Sequence, residues 1–85
     1  MKSEFLYTLE NFRIPANDPG VVCVTVAFCD IGVADSFFKE AVLDDRVLLV
    51  ESPVDDSVYI EFAADGPRHA RLLVEVIMSA LEECW

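Results

Sequence analysis

The chain is poor in the residues that most catalytic and metal-binding sites need. Its 85 residues include one His, three Cys and three Gly. Cys23, Cys29 and Cys84 never stand two to four residues apart, which speaks against a zinc site when a single His is available. Gly20, Gly32 and Gly66 are isolated, so no glycine-rich loop can wrap a phosphate. Asp55-Asp56 lacks the spaced oxygen ligands and central Gly of a calcium loop. No metal and no cofactor is expected.

Nucleophilic catalysis needs a Ser or Cys beside a base. His69 is the sole imidazole and falls in the first turn of the last expected helix, at the border of its apolar arc. Neither Cys23 nor Cys29 has a basic sequence neighbour that could activate its thiol. The acid pairs Asp44-Asp45, Asp55-Asp56 and Glu82-Glu83 are simply adjacent, whereas acid–base work needs carboxyls in contrasting environments. No catalytic residue is expected, and the chain reads as non-enzymatic.

Positive charge is also scarce. Six Lys and Arg stand against sixteen Asp and Glu, a net charge of −10 at pH 7. A surface of that sign repels nucleic-acid phosphates and anionic lipid and draws in basic proteins. The longest apolar runs, Val21–Cys29 and Leu72–Leu81, fall well short of the ~20 residues of a membrane span. The opening Met1-Lys2-Ser3-Glu4 carries an acid where a secretory leader carries only basic residues. Cys23 and Cys29, on one expected strand, lie about 20 Å apart and cannot pair with each other. An odd number of free thiols fits a reducing compartment, and a cytoplasmic protein is expected.

What is present is apolar side chain: hydrophobic residues form 54% of the chain, too many for a disordered segment. A single α+β domain over residues 1–85 is expected. Val21–Cys29 is β-branched and apolar on both faces, the pattern of a central strand. A helix is expected from about Val33 to Leu43, started by Asp30 or Asp35, with Asp35 and Lys39 as an i,i+4 pair. Arg46–Val54 and Val58–Ala64 read as a hairpin turning through Pro53, Asp55, Asp56 and Ser57. Asp65-Gly66-Pro67 starts a last helix with Pro67 in its first position. That helix carries an apolar arc of roughly 200°, wider than one sheet face needs.

The N-terminal segment fits either strand or helix. A strand is preferred, because Asn17-Asp18-Pro19-Gly20 is a turn signal leading into Val21. The order then becomes β-β-α-β-β-α, a ferredoxin-like or permuted ferredoxin-like sheet of about four antiparallel strands with two helices on one face. The other face would be open and would carry Cys23, Thr25, Ala27, Val47, Leu49, Tyr59 and Ala63, relieved mainly by Glu51 and Glu61. Self-association, as a homodimer or within a complex, is expected through that apolar face.

Seven acids at helix ends and turns are the expected contacts for a basic partner: Asp44, Asp45, Asp55, Asp56, Asp65, Glu82 and Glu83. Arg68 and Arg71 begin the last helix and Glu82 and Glu83 end it, the reverse of what the helix dipole favours. Arg68 and Arg71 are therefore expected to pair with Asp65 or Asp55-Asp56, or to meet a partner, and Trp85 is a further possible contact. The leading expectation is an acidic inhibitor, antitoxin, immunity or anti-defence factor that binds a basic protein. The alternatives are a small dimerising subunit and a small-ligand regulatory domain.

Overall fold

The run rich in β-branched residues at Val21–Phe28 sets the architecture. In the computed structural model, which describes residues 6–84, this run is a strand flanked on both sides by others. The elements are β1 (Tyr7–Arg13), β2 (Val21–Phe28), α1 (Ile31–Ala41), β3 (Val47–Val50), β4 (Ser57–Ala63) and α2 (Pro67–Cys84). The strands form one sheet in the order β1-β2-β4-β3, every pair antiparallel. This is the ferredoxin-like arrangement with its last strand moved to the front, and residues 7–13 are strand. Expectations for Trp85 and for the side chain of Cys84 lie outside the described residues.

The core lies between the sheet and the two helices. Val22, Val24 and Val26 of β2 and Val58, Ile60 and Phe62 of β4 are fully buried there. Phe37 and Ala41 of α1 and Val74 and Ile77 of α2 close it from above. Phe37 packs a tilted ring 5.2 Å from Phe28, and Phe28 lies 6.1 Å from Tyr7, so aromatic contact runs from α1 to the sheet edge.

α1 begins at Ile31 and ends at Ala41, two residues earlier at each end than expected. Asp30 caps it, its carboxylate accepting the Gly32 N–H at 2.6 Å, and Ile31 and Gly32 then form an exposed first turn. Asp35 is instead held by Lys39 at 3.1 Å. β3 is only four residues long, and the hairpin closes through Asp55-Asp56, with Val54 and Ser57 bonded both ways across it. Asp55 takes a φ of 56°, the left-handed region that such tight turns require. Pro67 opens α2 as expected, and the Gly66 carbonyl accepts the Ala70 N–H at 3.0 Å.

Candidate functional site

Strand register decides what the uncovered sheet face displays. Arg13, Cys23 and Glu61 lie side by side across β1, β2 and β4, with Leu49 of β3 next to Glu61. The next row runs Glu10, Thr25 and Tyr59, where the Tyr59 carbonyl accepts the Glu51 N–H. A third row is Thr8, Ala27 and Ser57. A contiguous apolar face was expected here, and the strands present carboxylates, an Arg and hydroxyls among the small residues.

One expected member does not belong to this face. Val47 pairs with Phe62 and packs against the core, because an extra residue at Leu48 bulges β3 and inverts the alternation. Leu48 and Leu49 are both left exposed. Cys23, Thr25, Ala27, Leu49, Tyr59 and Ala63 do lie on the side away from the helices, and Ala63 is exposed at the end of β4. Cys23 is 1% exposed even though no helix covers that side.

Neighbouring side chains account for that burial. Arg13 and Glu61 flank Cys23 in its row. Tyr59 donates its hydroxyl proton to Glu61 at 2.6 Å and accepts from the Arg13 guanidinium at 3.3 Å. The adjacent Cys23 sulfur, the Glu61 carboxylate and partial burial together hold the Tyr59 phenol protonated far above its ordinary range. This cluster is a neutral-to-negative polar patch on the sheet. Its thiol is sealed, and among the described residues no imidazole approaches it.

The expected acidic contacts fall at separate places. Asp55 and Asp56 sit at the turn into β4, beside the end of β2, where the Asp56 carbonyl accepts the Phe28 N–H at 2.8 Å. Asp44, Asp45 and Asp65 lie at the opposite end of the sheet, joined there by the Arg46 carbonyl accepting the Ala63 N–H. Glu82 and Glu83 close α2, and Glu82 and Glu75 come near enough to Tyr7 to reinforce the rise in its pKa that burial causes. The seven acids thus form several acidic edges around the molecule.

Asp44 is occupied within the chain. Its carboxylate accepts from the Arg46 backbone N–H at 2.8 Å, from Nε at 3.0 Å and from Nη2 at 2.7 Å. These bonds hold the Asp44 carboxyl below the usual aspartate range. Arg71 lies 5.9 Å from the centre of the Phe12 ring, a cation–π contact to β1 in place of the expected acid pair. Arg68 is exposed at the start of α2. His69 turns back to accept the Asp65 backbone N–H on Nδ1 at 3.1 Å, which gives it a helix-start role.

Chemistry between His69 and the exposed Cys29 is ruled out by position. β2 and β4 are antiparallel, so the residue after β2 and the helix after β4 start from opposite ends of the sheet. Among the described residues, no three His, Cys, Asp or Glu side chains gather to hold a metal, and no helix is long and apolar enough to cross a membrane. Sequence reasoning missed Thr8, Glu10 and Arg13 on the open face. Thr8 and Glu10 follow the plain alternation of β1 opposite core-facing Tyr7 and Leu9, whereas Arg13 reaches this face only through the bulge at Asn11, where φ is 59°. Comparison with known protein families, with curated proteins and with solved structures finds no match.

Proposed function

We propose that the chain is a non-enzymatic acidic interaction domain that occupies a basic surface of another protein, as an inhibitor, antitoxin, immunity or anti-defence factor does. One observation carries this reading. Among the described residues, Lys and Arg pair with only two carboxylates, those of Asp35 and Asp44. Exposed Glu10, Asp45, Glu51, Asp55, Asp65 and Glu83 stand on the open face and at the sheet and helix ends. A net charge of −10 spread this way produces an attractive field for a cationic partner over the ~8 Å screening distance of physiological salt. It opposes direct binding to nucleic acid, so a nucleic-acid-binding protein is a target of matching charge. The free thiols of Cys23 and Cys29 support a reducing, cytoplasmic setting for this activity.

A pulldown from the source cell, washed at low salt and at ~500 mM salt, tests the proposal. A basic protein retained at low salt and released at high salt is the expected result. A partner that withstands the salt would contradict it and favour assembly through apolar residues. Recovery of the chain alone would favour a self-contained dimer that binds a small ligand, detectable as a ligand-dependent rise in melting temperature.

A further inference from the structure

The helix layer carries an apolar line that the core does not use. Leu72 and Val76 are one turn apart on α2 and are 53% and 48% exposed, and half-buried Ala80 continues the line by another turn. Leu43, just past α1, is 76% exposed. Leu43 and Val76 wall a cleft of about 100 Å³ whose other sides are Glu40, Asp44, Ile77 and Ala80. Spacing of i, i+4 along one helix beside the end of another is a groove that a third helix fits, ridge into groove.

Charge selects the occupant. Asp44 is neutralised by Arg46, which leaves Glu40 on one rim and exposed Glu83, one turn beyond Ala80, at the far end. The carbonyl end of α2 adds its own partial negative charge there, and Glu82 and Glu83 add to that charge where a Lys or Arg would offset it. Arg68 stands at the other end, beside Leu72. A second copy of the chain would bring another −10 charge against the same groove. We propose that this groove seats an amphipathic basic helix of the partner. Its apolar side chains would lie on Leu43, Val76 and Ala80 and its Lys or Arg side chains against Glu40 and Glu83. The inference rests on the reading of the chain as a binder of basic proteins and adds where and in what shape the partner docks.

Two synthetic probes separate the inference from that reading: an amphipathic Leu/Lys helix and a Lys/Ser peptide of equal charge without an apolar face. Amide chemical shifts of the full chain are followed during titration with each. The Leu/Lys helix is expected to shift Leu43, Val76 and Ala80. Leu43→Ser with Val76→Ser, which leaves the net charge unchanged, should weaken it about tenfold. Leu48→Ser with Leu49→Ser, also exposed but on β3, should change it less than twofold. Val76→Ser alone, checked by thermal melting, guards against a folding defect in the double variant. Equal binding of the Lys/Ser peptide, or shifts centred on Glu10, Glu51 and Glu61, would overturn the groove while leaving the acidic reading intact. Binding of neither probe would remove both. A dimer in sedimentation that Val76→Ser dissolves would assign the groove to a second copy and overturn the inference.

Discussion

Asp44 makes a prediction that can be worked from its bonds. Asp44→Ala removes the acceptor of three hydrogen bonds from Arg46, one from the backbone and two from the guanidinium. A net hydrogen bond to a charged group is worth about 1.5–3 kcal/mol, while an exposed ion pair is worth about 0–1 kcal/mol. The Asp44 side chain is 15% exposed but that of Arg46 is 47% exposed, so the guanidinium recovers water when its partner goes. The expected loss is therefore about 1–2 kcal/mol, or roughly 4–8 °C in melting temperature per kcal/mol for a domain of this size. Asp44→Asn keeps an oxygen for the backbone N–H and should lose about half as much.

The pH dependence of that loss has a definite sign. The native Asp44 carboxyl titrates below its ordinary value, so the unfolded chain takes up the proton first as pH falls. The stabilisation is complete above the ordinary aspartate value of about 3.9 and fades as pH drops through the lower native value. Urea melts of wild type and Asp44→Ala at pH 7, 5 and 3 should show a gap in midpoint that is constant between pH 7 and 5 and narrows at pH 3. A gap of the same size at all three would refute the carboxylate as its source. An Arg46→Met partner in a double-mutant cycle isolates the side-chain pair, and additive losses would mean the pair contributes nothing.

Three further outcomes are expected. Asn11 at φ 59° sits in the β1 bulge, so Asn11→Gly should be neutral or slightly stabilising and Asn11→Val should cost about 1–2 kcal/mol by urea melting, with equal stabilities contradicting the bulge. Burial and the neighbouring Glu75 raise the Tyr7 pKa, and contact with Cys23 and Glu61 raises that of Tyr59, so absorbance at 295 nm should show no native tyrosine ionising before pH 10. The native state then holds more protons than the unfolded state above pH 10, so stability should fall there, and Tyr59→Phe should flatten that slope. In a Cys84→Ser chain, exposed Cys29 should react with a thiol reagent in the mixing time and buried Cys23 only at the rate of opening, and two fast thiols would contradict the sealed position of Cys23.

Much of the fold could be read from residue pattern because the strongest elements carry local signals. Val21–Phe28 is apolar and rich in β-branched residues, and Gly66-Pro67 announces α2, so strand order and helix layer follow by short connections. Both edge strands were harder. The bulges near Asn11 and at Leu48 each add one residue and so exchange the two faces of a strand, without a Gly to mark them. That is why Val47 was placed on the open face and Arg13 was not. Arg71 over Phe12 joins residues far apart in sequence, and the Arg46–Asp44 bond forms in the turn before β3, where no helical or strand periodicity signals it. The seven acids were visible as charge, but their division between opposite ends of the sheet depends on antiparallel pairing.

The claim that the free carboxylates bind a basic protein is tested most directly by a comparative pulldown. Wild type and a chain carrying Asp45→Asn, Glu51→Gln, Asp55→Asn and Glu83→Gln are used as bait in the same extract at low salt. All four side chains are exposed, so the variant should melt within a few degrees of wild type. The account predicts a basic protein enriched by wild type and lost from the neutralised chain. Retention of the same partner by both chains, or no basic protein with either, would contradict it.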